Sequence, residues 1–283
     1  MATNHKLIIG DCACLSEIRD ESVHLMVTSP PYFNAPFDYK ELFHSYDDYL
    51  QLLSSMAEEV FRVLQKGRIA VLNIDDMLVN GEKFPIVADA TKIFREAGFR
   101  YRDRIIWKKP DGYLRISRRS GVLLQHPFPM YFYPDNLLES ILIFQKGKFD
   151  YHSIPRKIRE DSRVDISEFN SKKWYMTLWE ITNVLPGSAL EKNIAAFPEE
   201  LPYRIIKLFS YKGETVLDPF VGSGTTMKVA RELRRNSIGV EIDKSLVSII
   251  KKKLGFDEQI GFYNSEDNLE VVIREEVHAA HLG

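Results

Sequence analysis

Cysteine is nearly absent: the 283 residues hold two, Cys12 and Cys14. One residue between them leaves too little chain for an easy bridge, and a single pair builds no disulfide scaffold. No His or Cys pair completes a zinc site around them, so no metal is expected. Long apolar runs are missing as well. None approaches the roughly 20 residues that cross a bilayer, and the N-terminus has no apolar signal-peptide core. The expectation is a reducing, cytoplasmic setting with no membrane partner. A large charge of one sign is also lacking. The 38 Lys and Arg stand against 40 Asp and Glu, a net charge of −2, which excludes a uniformly basic nucleic-acid binder. Any such contact must rest on local basic patches. What remains is an ordinary globular composition, 45% hydrophobic and 28% charged, in a chain long enough for a large core plus an insert. No internal repeat or low-complexity tract is found.

The chain is organised around Thr28-Ser29-Pro30-Pro31-Tyr32. It follows an apolar run, Val23 to Val27, that reads as a buried parallel strand. Two prolines cannot continue a sheet, so the backbone must leave as a stiff extended loop. This puts a hydroxyl, two carbonyls and an aromatic face at the carboxyl end of a strand, where ligands of open α/β sheets bind. A rigid row of acceptors beside a ring suits a planar base with an exocyclic amine. The competing explanation is an ordinary strand exit with Tyr32 in the core.

A second stretch has the same layout. Glu214 to Asp218 reads as a buried strand and runs into Pro219-Phe220-Val221-Gly222-Ser223-Gly224-Thr225-Thr226, with a helix-like segment from Met227 to Leu233. Strand, glycine turn and helix start hold an anion on backbone N–H groups. Gly222 and Gly224 permit close backbone approach, and Thr225 and Thr226 can cap the helix or bond a carboxylate. The next strand, Ser237 to Val240, ends at Glu241, well placed to accept from ribose hydroxyls. No Lys follows Gly224, which disfavours a nucleoside triphosphate, and the glycine spacing is not that of a dinucleotide loop.

The remaining elements alternate. Lys6 to Ile9 is a short strand ending at Gly10-Asp11. Tyr46 to Leu64 has helical apolar spacing, with Asp47 and Asp48 suited to its first turn. Arg68 to Ile74 is a strand with Asn73, Asp75 and Asp76 at its carboxyl end, residues that either line a site or start the next turn. Pro85 to Ala97 is a helix, Phe99 to Trp107 a more exposed strand, Phe197 to Ser210 a helix with Pro202 in or just before its first turn, and Ser245 to Leu254 a helix whose Lys251-Lys252-Lys253 end suits the helix dipole. The rhythm predicts a parallel sheet covered on both faces. Phe33 to Tyr39 reads as an irregular loop able to close over a substrate. From Asp257 onward strand signals are few.

Between Pro110 and Lys192 the rhythm breaks, although Leu138 to Phe144 is a clear strand. Arg100 through Arg119 holds eight Lys and Arg against two Asp and Glu, a patch able to meet phosphates. Arg156, Lys157, Arg159, Arg163, Lys172 and Lys173 follow, interleaved with Trp174, Tyr175 and Trp179. Basic residues among aromatics suit a nucleic-acid surface, and a solvated basic loop with its Trp residues packed on the core suits them equally.

Ser-Pro-Pro-Tyr early and Asp-Pro-Phe-x-Gly-Ser-Gly-Thr-Thr late together resemble the S-adenosylmethionine-dependent DNA amino-methyltransferases, in the permuted order of their β group. Gly10-Asp11-Cys12, the segment from Arg62 to Val71, Ile105-Ile106-Trp107-Lys108-Lys109 and Ala196 to Pro202 agree with the same family. Asn193 departs from it, standing where many relatives have His. The resemblance implies an α/β fold: a Rossmann-like, mostly parallel sheet with helices on both faces and a circularly permuted class I methyltransferase order. It divides the chain into a catalytic half, 1–109, a target-recognition insert, 110–192, and a cofactor-binding half, 193–283.

The resemblance also implies roles. Ser29 Oγ and the Pro30 carbonyl would accept the two amine hydrogens of a flipped base in double-stranded DNA, Pro31 would stiffen the loop, and Tyr32 would stack on the base. Asp11 would bond the adenine of S-adenosyl-L-methionine, Glu241 its ribose, and Asp218 with Gly222, Gly224, Thr225 and Thr226 its amino-acid end, under apolar cover from Phe197 and Phe220. Ser at the first motif position resembles cytosine-N4 enzymes, whereas Asp or Asn there resembles adenine-N6 enzymes. Membership of a restriction-modification system, a cognate restriction endonuclease and a homodimer are compatible with the family. Adenine in DNA, a base in RNA, and a catalytically idle DNA- or cofactor-binding relative stay open as alternatives.

Overall fold

A computed structural model describes residues 2–34, 42–110, 120–132, 134, 137–182, 197–256 and 266–274. In chain order the strands are β1 (Asn4–Ile9), β2 (Val23–Thr28), β3 (Leu64–Ile74), β4 (Met77–Val79), β5 (Glu82–Phe84), β6 (Arg100–Lys108), β7 (Leu138–Gln145), β8 (Leu178–Glu180), β9 (Thr215–Asp218), β10 (Asn236–Glu241) and β11 (Asn268–Ile273). The helices are α1 (Tyr46–Val63), α2 (Ile86–Glu96), α3 (Ser120–Gln125), α4 (Arg156–Asp161), α5 (Ile166–Ser171), α6 (Glu200–Phe209), α7 (Thr225–Glu232) and α8 (Val247–Leu254).

Nine strands form one sheet in the order β11-β1-β10-β9-β2-β3-β7-β6-β8. All neighbours are parallel except β7, which runs against both β3 and β6. The mostly parallel sheet expected from the sequence is therefore present. Alternation along β2 explains why both faces are covered. Met26 points to the side where Leu53, Met56, Val60 and Phe94 of α1 and α2 pack. Leu25 and Val27 point to the other, where Leu201, Ile205 and Val229 of α6 and α7 pack. All of these side chains are buried, each contributing about 1.5–3 kcal/mol of apolar transfer.

Local chemistry sets the element ends. α1 starts in a capping box: the Asp48 N–H donates to Ser45 Oγ at 3.1 Å and the Ser45 N–H to Asp48 Oδ2 at 3.0 Å. No gap separates α1 from β3. The chain re-aims at Gly67, whose φ is +88° and where an added Cβ would sit 2.7 Å from the Lys148 carbonyl oxygen, so no side chain fits. Pro202 lies within the first turn of α6, where a missing N–H costs nothing.

Two sequence expectations change, and one left open is decided. The stretch 110–192 is not all insert, because β7 and β8 from within it are members of the main sheet. The tail holds a strand: β11 pairs in parallel with the whole of β1, from Asn4 opposite Asn268 to Ile9 opposite Ile273. Trp174 and Trp179 are 3% and 1% exposed, so they are core residues and offer no stacking face, while Arg156, Lys157, Arg159, Arg163, Lys172, Lys173 and Tyr175 are exposed. The closing loop expected after Phe33, the arginines at 115, 118 and 119, and Asn193 lie outside the described residues.

Candidate active site

The two motif strands lie side by side, Leu25 opposite Val216 and Met26 opposite Leu217. From β9 the chain crosses to β10 on one side, and from β2 to β3 on the other. The ends of β2 and β9 thus flank the point where the crossovers diverge, the place where open sheets leave a crevice. A side-chain bond locks them together. The Thr28 hydroxyl donates to Asp218 Oδ1 at 2.6 Å, and the Phe220 N–H donates to the same oxygen at 3.1 Å. Burial pushes the Asp218 carboxyl up to about 6, against the pull of the Thr226 and Thr28 hydroxyls and the Phe220 N–H.

Past Thr28 the backbone leaves the sheet as the double proline requires. Pro30 is buried, while Ser29, Pro31 and Tyr32 are half-buried. The Tyr32 hydroxyl donates to Glu139 Oε2 at 2.9 Å, and the Ser29 hydroxyl lies beside the same phenol oxygen. Burial, followed by the Glu139 charge, holds the phenol far above its ordinary range, so Tyr32 is a neutral donor. Glu139, near the start of β7, also accepts from Asn73 Nδ2 at 2.6 Å and pairs with Lys109 Nζ at 2.5 Å. Asp75 lies in the same group. Burial first, then the Glu139 and Asp76 charges, raise it to about 7. Asp76 takes the other role open to these acids, accepting the Val87 N–H at 3.0 Å in the first turn of α2. Next along the loop, Phe33 is buried among Tyr46, Tyr49 and Phe84.

The second loop turns through left-handed backbone at Gly222 (φ +51°) and Gly224 (φ +89°), and Gly224 is the N-cap of α7. The cap has no side-chain bond, so neither threonine serves as the expected cap. The Thr225 hydroxyl, with Ser223 Oγ, accepts from Lys253 Nζ at 2.9 and 2.7 Å, and Thr226 is buried facing Asp218. From the sequence, Lys253 reads only as part of a favourable helix end. Its place at the start of α7 depends on how α8 folds back, and nothing local signals that.

Glu241 braces the loop from the end of β10. Its Oε2 accepts the Gly222 N–H at 2.9 Å and its Oε1 the Asp243 N–H at 2.9 Å. Asp11 lies at the neighbouring strand end, since Ile9 is opposite Glu241 and the Gly10 N–H bonds the Glu241 carbonyl at 2.8 Å. Asp11 is exposed, and its Oδ1 accepts the Ala13 N–H at 2.8 Å. The turn is clamped by Arg274, which donates to the carbonyls of Asp11 at 2.6 Å and Cys14 at 2.5 Å and pairs with Glu17 at 2.7 Å. Phe220 and Phe197 are both half-buried but belong to opposite faces: Phe220 packs on the α1 side and Phe197 on the α6 side. All thirteen residues singled out from the sequence thus lie at or beside the carboxyl ends of β1, β10, β9 and β2 or at the entry to α6.

This arrangement has known relatives. Residues 23–252 match the family model of DNA methylases that covers N6 and N4 enzymes. The Type II methyltransferase M.MjaI of Methanocaldococcus jannaschii is 38% identical, over 92% of this chain and 94% of its own. M.MthZI of Methanothermobacter thermautotrophicus, also a Type II methyltransferase, is 32% identical over 90% and 77%. Among solved structures, the Thermus thermophilus DNA modification methylase TTHA0409, complexed with S-adenosyl-L-methionine, superposes with a TM-score of 0.71 at 30% identity, covering 95% of this chain and 99% of that one. The cytosine-N4-specific PvuII DNA methyltransferase shares the fold, with a TM-score of 0.65 at 18% identity. With a family match over most of its length and relatives at this level of identity, the chain belongs to the N6/N4 DNA methylase family of S-adenosyl-L-methionine-dependent methyltransferases.

Proposed function

We propose that the chain transfers a methyl group from S-adenosyl-L-methionine to the exocyclic N4 amine of a cytosine flipped out of double-stranded DNA, as the modification enzyme of a restriction-modification system. The observation that carries this reading is the junction at Thr28 and Asp218, which sets the Ser29-Pro30-Pro31-Tyr32 loop against the glycine loop. The choice of cytosine rests on Ser29 at the first motif position. The restriction-modification context rests on the Type II names of the relatives.

The residues present fit the cofactor. Carboxylates only accept hydrogen bonds, and Asp11 and Glu241 offer two at adjacent strand ends, suited to the adenine amine and the ribose hydroxyls. Glu241 uses one lone pair on each oxygen for the loop and keeps others for a ligand. The N-terminus of α7 with Lys253 beside it suits a carboxylate. When bound, S-adenosyl-L-methionine supplies an electrophilic methyl on a sulfonium.

The chain's own residues do the rest. Ser29 Oγ and the Pro30 carbonyl accept hydrogen bonds from the two amine hydrogens, favouring a pyramidal nitrogen whose lone pair is free to attack; the N–CH3 bond would form as the S–CH3 bond of the sulfonium breaks, the neutral thioether would leave, and the surplus amine proton would pass to water. The double proline keeps those acceptors fixed, and Tyr32 stacks on the base. Positioning and local electrostatics supply the acceleration without a dedicated strong base. We assign DNA recognition to the parts of 110–192 outside β7 and β8, where Arg156, Lys157, Arg159 and Arg163 are exposed to meet phosphates.

The test is transfer of labelled methyl to mixed-sequence duplex DNA, followed by nucleoside mass spectrometry. N4-methylcytosine is the expected product. N6-methyladenine overturns the choice of base alone, and no label in DNA overturns the reaction.

A further inference from the structure

Glu139 has no part in either sequence motif, yet it is 8% exposed and sits behind the catalytic loop. Its carboxylate is held from three sides, by Tyr32 Oη at 2.9 Å, Asn73 Nδ2 at 2.6 Å and Lys109 Nζ at 2.5 Å. Lys109 in turn lies 5.3 Å from the Trp107 ring centroid, and Asn73 is 2% exposed. A buried carboxylate is costly unless paired and hydrogen-bonded. This one is fully engaged, and one of its three partners is the ring assigned to the target base.

Hydrogen-bond direction then follows. An ionised carboxylate only accepts, so Tyr32 must give its single O–H to Glu139. The phenol oxygen is left as an acceptor for the Ser29 O–H beside it.

We infer that Glu139 is a positioning residue of the methyl-transfer site: by taking the Tyr32 O–H it fixes the plane of the ring against which the target base is held. The inference rests on the methyl-transfer reading above and adds to it a residue that touches neither base nor cofactor.

The test is a double-mutant cycle of Glu139→Gln and Tyr32→Phe, followed by label transfer to mixed-sequence duplex DNA, with S-adenosyl-L-methionine binding and Tm measured on the same samples. Each single variant is expected to lower kcat by about tenfold, with the DNA KM and the cofactor Kd within about twofold of wild type. The double variant is expected to lose no more than either single, because both break the one Tyr32–Glu139 bond. Multiplicative losses, about a hundredfold in the double variant, overturn the proposal, as does wild-type kcat in Glu139→Gln. Tyr32→Phe keeps the stacking ring and breaks only the bond to Glu139, so wild-type kcat in that variant overturns the proposal even where Glu139→Gln fails to fold. A wild-type enzyme that labels no DNA overturns the methyl-transfer reading itself, a result separate from either variant's.

Discussion

Thr28 and Asp218 are 190 residues apart in sequence, and the hydroxyl of one donates to the carboxylate of the other at 2.6 Å inside the core. The bond spans the two halves of the permuted chain at the root of both loops. Thr28→Val keeps the shape and removes the donor, leaving a buried carboxylate short of a partner. The expected cost is about 1–3 kcal/mol in urea unfolding at neutral pH. The lost bond favours the ionised form, so its removal pushes Asp218 further up from about 6. Stability that depends on a raised carboxyl is present at low pH and lost as pH rises through the folded value. The deficit of Thr28→Val should therefore be larger at pH 7.5 than at pH 4.5, and an equal deficit at both would contradict this account of the carboxylate.

His24 and Asp75 pull stability in opposite directions with pH. Burial lowers His24 to about 4, with the Arg68 charge acting the same way. The folded chain keeps it neutral while the unfolded chain takes up a proton below about 6.5, so its contribution falls as pH drops from about 6.5 to 4. Asp75, raised from 3.8 to about 7, contributes stability at low pH that is lost as pH rises between those two values. Denaturant unfolding at pH 4.5 and 7.5 separates them. His24→Gln, which keeps an acceptor for the Thr215 N–H, should gain relative to wild type at the lower pH, and Asp75→Asn at the higher. The gain for His24 is bounded at about 3 kcal/mol.

At Gly224 both backbone and space oppose a side chain. Its φ is +89°, and an added Cβ would sit 3.2 Å from Ile250 Cγ2 and Leu254 Cδ1. Gly224→Ala is expected to cost about 1–3 kcal/mol and to weaken S-adenosyl-L-methionine binding, because the turn that starts α7 must shift. Calorimetric titration checks the second effect and a thermal melt the first.

Arg274 is a sharper probe of the cofactor reading, since it supports Asp11 without belonging to any motif. Arg274→Ala removes the clamp on the Asp11 and Cys14 carbonyls and the pair with Glu17. Cofactor Kd should rise several-fold while the core helices melt as before, given that surface ion pairs are worth little. An unchanged Kd would remove Asp11 from the adenine site.

Where chemistry is contiguous in the chain, it could be read from the chain. Ser29 through Tyr32 and Asp218 through Thr226 each carry strand, turn and functional group in one short stretch, and both landed at adjacent strand ends. Glu139 could not be found that way. It reads as one polar position in an apolar strand, and its partners Tyr32 and Asn73 lie 107 and 66 residues away. The same holds for Lys253, which reaches Ser223 only because α8 folds back on the loop. β11 escaped because an edge strand with alternating half-exposed residues and a Glu in its centre has a weak apolar signal. The antiparallel course of β7 was hidden too, because strand direction depends on the path of the connections, which the run from Leu138 to Phe144 does not encode.

The strand order also dictates when the protein can fold. β1 precedes every other strand in the chain, yet its neighbours are β10 and β11, which follow all the rest. β2, β3, β7 and β6 form a contiguous block in space whose members are all complete by Gln145. During translation that block can assemble on its own while β1 waits, unpaired, until the 96 further residues from Gln145 to Glu241, the end of β10, have left the ribosome. Pairings of such long sequence separation close slowly, and an unpaired apolar strand held open that long is the segment a chaperone would meet.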